Sequence, residues 1–261
     1  MNVADHDQHL PPSVGGLIGF ALRSWAADAP FYVALALIVF CAYTLVEWTI
    51  PPAPLESDEG IFKLYALMYT GVFADAYITA AVALGVAARG LGTPLAPRTL
   101  AAGALERWLP VIAVSVLAQG VIILTGPLAN LMAPPEPRWL IYFTTPLIWI
   151  LWGILGLTGP FVALAQTRTA STVLIGFAHA FAVALRPTNL SRLCILALIT
   201  VVPELIALIL QQSLQQHHVA RSIFWAEIPI DVLSIGPLSA IQTAFALDFV
   251  RRTNMDARAR P

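Results

Sequence analysis

The sequence predicts an all-α integral membrane protein. Six transmembrane helices form three hairpins, each preceded by a cytoplasmic amphipathic helix lying in the membrane interface. Three observations carry this. Hydrophobic residues make up 58% of the 261 residues and charged residues only 11%; a soluble domain carries roughly 25% charged residues, so this chain cannot cover a water-facing surface. Apolar runs close to or above the roughly 20 residues needed to cross a bilayer recur along the chain. Finally, Ile78–Gly90 (ITAAVALGVAARG), Leu157–Thr169 (LTGPFVALAQTRT) and Ile241–Thr253 (IQTAFALDFVRRT) end alike, with Val82, Phe161 and Phe245 in register and then Arg89, Arg168 and Arg252.

Residues 1–12 form a polar tail that ends in Pro11-Pro12 and lacks the basic start of a cleavable signal, so the first apolar run is expected to be retained. Ser13 is a candidate N-cap. Behind it Val14, Leu17, Ile18, Ala21, Leu22 and Trp25 recur at helical spacing, giving an amphipathic helix too short to span. Asp28 and Pro30 break it, and Phe31–Ile50 is the first span. Pro51–Gly60 is a turn, and Ile61–Ala88 is a second, longer span.

The second unit opens with Arg98–Trp108, where Leu100, Ala101, Ala104, Leu105 and Trp108 repeat the first stripe at one constant offset. Leu109–Leu131 and Trp139–Gln166 are its spans, the latter interrupted by Pro146, Gly153, Gly156, Gly159 and Pro160. The third unit opens with Ser171–Leu185, whose stripe is Leu174, Phe177, Ala178, Phe181, Ala182 and Leu185. Arg186-Pro187 ends it; Leu193–Gln211 and Ile223–Val250 follow. The domain is thus 13–252, with pseudo-repeats near 13–90, 98–169 and 171–253 and a basic tail over 253–261.

Arginine placement orients the chain. Arg23, Arg89, Arg98, Arg107, Arg168, Arg186, Arg192, Arg251, Arg252, Arg258 and Arg260 fall on one side; Lys63, Arg138 and Arg221 fall on the other. Both termini are therefore expected to be cytoplasmic. Trp25 and Trp108, with Arg89, Arg168 and Arg252, serve as inner interfacial anchors, and Trp48, Trp139 and Trp225 mark the outer interface.

The stretches LIGFALRSWAADAPFYVALALIVF, ITAAVALGVAARGLGTPLAPRTLAAGALERWLPVIAV and GPFVALAQTRTASTVLIGFAHAFAVALRPTNLSRLCIL resemble the bacterial glycerophosphoryl diester phosphodiesterase membrane-domain group. The likeness is one of rhythm and residue class over roughly residues 13–252. It implies a six-helix bacterial inner-membrane protein with amphipathic elbows, and it implies no activity. The third elbow departs from the family pattern, with Gln166 and neutral residues in place of an acid and a basic pair.

Chemistry-bearing residues are few. Asp75, Glu204 and Asp231 lie deep in expected spans, and no Lys or Arg lies equally deep to pair with them. A bare carboxylate at the bilayer centre costs about 3 kcal/mol or more. These acids either line a cation or proton path or sit protonated among hydrogen-bonding neighbours. His217-His218 with Glu227 reads as a solvated outer loop rather than a metal site. Cys41 and Cys194 read as small apolar residues, and Asp248 reads as a local ion-pair partner of Arg251 and Arg252. Phosphate-loop, His-Glu-x-x-His and Gly-x-Ser-x-Gly motifs are missing from the sequence. The expected protein is non-enzymatic: a scaffold or accessory subunit of a membrane complex, or alternatively an ion, proton or small-solute transporter. Membrane lipids and other membrane subunits or a second copy are its expected partners. A net charge of −1 argues against nucleic acid, and no cofactor or metal is implied.

Overall fold

The computed structural model describes residues 10–49, 58–132, 139–165, 170–216 and 220–258, with side chains over 10–38, 41, 58, 71–73, 75–121, 146–165, 172–202, 206 and 233–255. These residues are helical throughout, with short connections and no strand among them. The helices are α1 (Val14–Ala26), α2 (Ala29–Thr49), α3 (Asp58–Gly90), α4 (Pro97–Met132), α5 (Trp139–Leu164), α6 (Ala170–Ala184), α7 (Leu190–Gln216) and α8 (Ala220–Arg258).

Local chemistry sets several of these ends. The Ser13 Oγ accepts from the Gly16 amide at 3.1 Å and caps α1. Gly92 takes φ +72°, the left-handed turn that favours glycine. There the amides of Gly92 and Thr93 donate to the carbonyls of Arg89 and Ala88, closing off α3. Asn189 starts α7: its carbonyl accepts from the Leu193 amide, and its side-chain amide donates to Val183 O at 2.9 Å.

The second amphipathic segment differs from expectation. Arg98–Trp108 is not a separate elbow but the opening of the continuous helix α4, which runs through Pro110. It lies along α3 rather than beyond its end. The Tyr77 hydroxyl donates to Ala101 O at 3.1 Å, the Trp108 indole N–H donates to Phe73 O at 3.0 Å, and the two rings meet edge to face. With its indole committed to protein, Trp108 acts as an inter-helix tie. Helix α8 continues into the basic tail as far as Arg258.

Among the described residues, four helical segments are long and apolar enough to cross a membrane: Gly71–Gly90, Pro97–Val121, Pro146–Leu164 and Leu233–Met255. Ala29–Ile38, Thr172–Ala184 and Leu190–Val202 are shorter apolar helices among the described residues.

At the centre α3, α5 and α8 all touch one another. Helix α2 packs against α3 and α8, α4 against α3 and α5, and α7 against α5 and α8. Buried Ile78, Val82, Leu157, Phe245 and Phe249 fill the middle, each under 2% exposed. The glycine series on α5 serves three neighbours in turn. Gly153 faces the Ala197 backbone on α7, where an added methyl would lie 3.0 Å from Cα. Gly156 faces the Gln242 carboxamide on α8, and Gly159 faces Thr79 on α3. Small residues allow such close backbone approach where hydrocarbon offers no hydrophobic drive between helices. A Thr79–Ser239 hydrogen bond of 3.1 Å joins α3 to α8, and Thr243 Oγ1 donates to Ser239 O at 2.7 Å.

Outward faces are apolar. Leu109, Leu147, Leu174 and Ile175 are each more than 60% exposed, as suits a chain whose solvent is lipid. Helix α6 shows the consequence. Its expected stripe through Leu174, Ala178 and Leu185 faces outward, while Val173, Gly176, Ala180 and Ala184 face the bundle. A helix apolar on both sides has two candidate core faces, and here the smaller side chains pack inward.

Candidate functional site

Two clusters of charged groups lie at one end of the bundle, where α3 and α8 finish and α1 crosses them. Asp248 on α8 has no exposed surface, yet it is a carboxylate beside three arginines. Arg192 Nη1 from the start of α7 approaches Asp248 Oδ2 at 2.6 Å, Arg252 Nε approaches the same oxygen at 2.9 Å, and Arg251 Nη2 lies 2.6 Å from Oδ1. The arginines also hold the chain before α1. Arg251 Nη1 donates to Leu10 O at 2.7 Å, and Arg192 Nη2 and Arg252 Nη2 both donate to Pro12 O. One carboxylate thus clamps α7, α8 and the N-terminal segment together. Charge-assisted bonds of this kind are about twice as strong as neutral ones.

The second cluster lies beside α1. Arg89 Nη2 at the end of α3 pairs with Asp28 Oδ2 between α1 and α2 at 2.6 Å. A cavity of about 250 Å³ opens next to this pair, lined by Phe20, Arg23, Ser24, Arg89, Gly92 and Pro94. Leu10 and Phe20 both border Gly90, so the segment held by the Asp248 cluster also touches the end of α3.

His179 on α6 stacks edge to face on Phe161 of α5, ring centres 5.1 Å apart. His179 reaches the surface, and only partial desolvation on its Phe161 side, with a smaller contribution from the Arg186 charge, lowers its pKa from the ordinary histidine value.

Of the deep acids, Asp75 is partly buried on α3 within the span Gly71–Gly90 and is engaged by a neighbour. Glu204 and Asp231 belong to α7 and α8, but their side chains lie outside the described residues, as do those of Glu227, Trp48, Trp139 and Trp225; Arg168, His217 and His218 fall outside the described segments altogether. Trp25 packs its indole against Gly236 of α8, and Arg89 and Arg252 are both paired with carboxylates. Among the described residues no group of three or more His, Cys, Asp or Glu is placed to hold a metal. Cys41 and Cys194 are exposed free thiols. Sequence spacing pairs Asp248 with Arg251 and Arg252 but misses Arg192, 56 residues away, and the linkage to Leu10 and Pro12. The one local signal was the apolar setting of Asp248, flanked by Phe245, Leu247 and Phe249, where a buried acid needs every partner it can reach.

Compared with known proteins, the chain matches no family model, no curated protein and no solved structure.

Proposed function

We propose that this chain is a non-enzymatic, multi-pass protein of a bacterial inner membrane that serves as a scaffold or accessory subunit of a membrane complex. The observation that carries this reading is the close-packed centre. Where α3, α5 and α8 meet, Ile78, Val82, Leu157 and Phe245 fill the space that a solute path would need. Six spans in three hairpins is the arrangement we propose for it. The support is cyclic packing: α2, α4 and α7 each lie on the inner helix that follows them in sequence and on one other inner helix, α8, α3 and α5 respectively. The resemblance to the phosphodiesterase membrane-domain group fits the same arrangement. The arginine bias puts both termini, the Asp248 cluster and α1 on the cytoplasmic side.

The test is the composition of the particle excised with its native lipids. The reading expects the 28.1 kDa chain to travel with a second membrane subunit, or a second copy, at fixed stoichiometry. A single copy accompanied by lipid alone argues against it.

One observation favours a second reading. Asp75 is a partly buried acid within an apolar span, and such groups commonly mark ion or proton routes. In that reading Asp75, Glu204 and Asp231 form the route of a transporter for protons, ions or a small solute.

A further inference from the structure

We infer that the cleft between α1 and the end of α3 binds a phosphate group, either that of an anionic phospholipid at the membrane surface or a free phosphate. This goes beyond the scaffold reading and stands equally if the chain transports.

Two arginines line one opening, Arg23 from α1 and Arg89 from α3, with Ser24 beside them. Asp28 neutralises one of these charges by pairing with Arg89. Arg23 has no ion-pair partner among the described residues, so the opening keeps a net positive charge. Arg89 meets Asp28 through Nη2. Its Nε is buried and lacks an acceptor among the described residues. A structural role for Arg89 as a bridge to Asp28 accounts for that contact but leaves Arg23 at the opening unexplained. The fork of an arginine matches the paired oxygens of a phosphate.

Two further features fit. At about 250 Å³ the cleft holds the equivalent of roughly eight waters and falls below the about 300 Å³ where sites for drug-sized ligands begin. It is a shallow opening at the surface, of a size that a phosphate headgroup can cover. Phe20 offers an apolar wall for the carbon part of such a group. One effect opposes binding: helix C-termini carry about half a negative charge, and α1 and α3 both end here. That effect is blunted at α3, because the carbonyls of Ala87, Ala88 and Arg89 already accept amides of residues 91–93.

The experiment uses the full chain in a non-ionic maltoside detergent, which carries no phosphate. Dihexanoyl phosphatidylglycerol, dihexanoyl phosphatidylcholine and inorganic phosphate are titrated separately, with binding read by phosphorus NMR. The expectation is saturable binding that weakens roughly tenfold in Arg23→Gln, is partly retained in Arg23→Lys, and is unchanged in Arg98→Gln, an exposed arginine on α4. Binding of phosphatidylglycerol alone identifies a lipid headgroup site, and binding of inorganic phosphate with the same Arg23 dependence identifies a free-phosphate site. Saturation by none of the three, or binding indifferent to Arg23→Gln, overturns the proposal.

Discussion

Arg192 and Asp248 sit 56 residues apart in sequence and 2.6 Å apart in space, and Asp248 is fully enclosed. Breaking a buried pair by removing one member costs about 3–5 kcal/mol, because the other charge is left stranded. Asp248→Ala strands three arginines at once. It is expected to lower stability by about that amount, read by thermal unfolding in detergent. Arg192→Gln should follow closely. Arg252, with a side chain 30% exposed, can turn to water, and Arg252→Gln should cost less than about 1 kcal/mol. Equal effects for Arg192→Gln and Arg252→Gln would show that burial does not rank these contacts.

That ranking illustrates what the sequence makes legible. Capping and breaking are local, so Ser13 before α1 and Arg186-Pro187 after α6 announce their helix ends. The long apolar runs announce their membrane character for the same reason. The second amphipathic segment merges with the span after it, because prolines such as Pro110 are tolerated inside a long apolar helix when neighbouring helices support it. Arg192 stays hidden because periodicity carries no information about partners on another helix. The relation among Asp75, Glu204 and Asp231 depends on helix rotation about the bundle axis, which composition leaves open.

The glycines of α5 offer a sharper packing test. A methyl at Gly153 would lie 3.0 Å from Ala197 Cα and 3.2 Å from its amide nitrogen, both backbone atoms that cannot swing aside. Gly153→Ala should lose about 1–3 kcal/mol through overpacking. At Gly120 nothing lies within 4 Å of such a methyl, so Gly120→Ala should be neutral or stabilising by up to about 1 kcal/mol. Thermal unfolding of the two variants side by side decides this. A stabilised Gly153→Ala would mean that α5 and α7 are not in close contact.

Orientation can be read by labelling. With Cys41 and Cys194 replaced by Ser, single cysteines at Arg98 and at Arg138 should react with a membrane-impermeant maleimide from opposite sides of intact cells. The position 98 cysteine is expected to be protected until the cells are opened. Labelling of both from outside would refute the arginine-based topology.

His179 gives a pH prediction. Its pKa is held below the ordinary 6.5, so the unfolded chain takes up this proton more readily than the folded one. The sign follows: His179 lowers stability as pH falls below 6.5 and has no further effect once pH drops beneath the folded pKa. An NMR titration of His179 should show a midpoint below 6.5. Arg186→Gln should raise that midpoint only in part, since burial is the larger cause. A midpoint at or above 6.5 would show that the contact with Phe161 does not shield His179 from water.

The most direct test of the central claim, that the bundle is a packed support rather than a conduit, is flux through purified protein in sealed vesicles under a proton or cation gradient. The packed centre predicts leakage no greater than that of protein-free vesicles, with wild type and Asp75→Asn indistinguishable. Saturable flux in the wild type that Asp75→Asn abolishes, while the variant unfolds at the wild-type temperature, would contradict it.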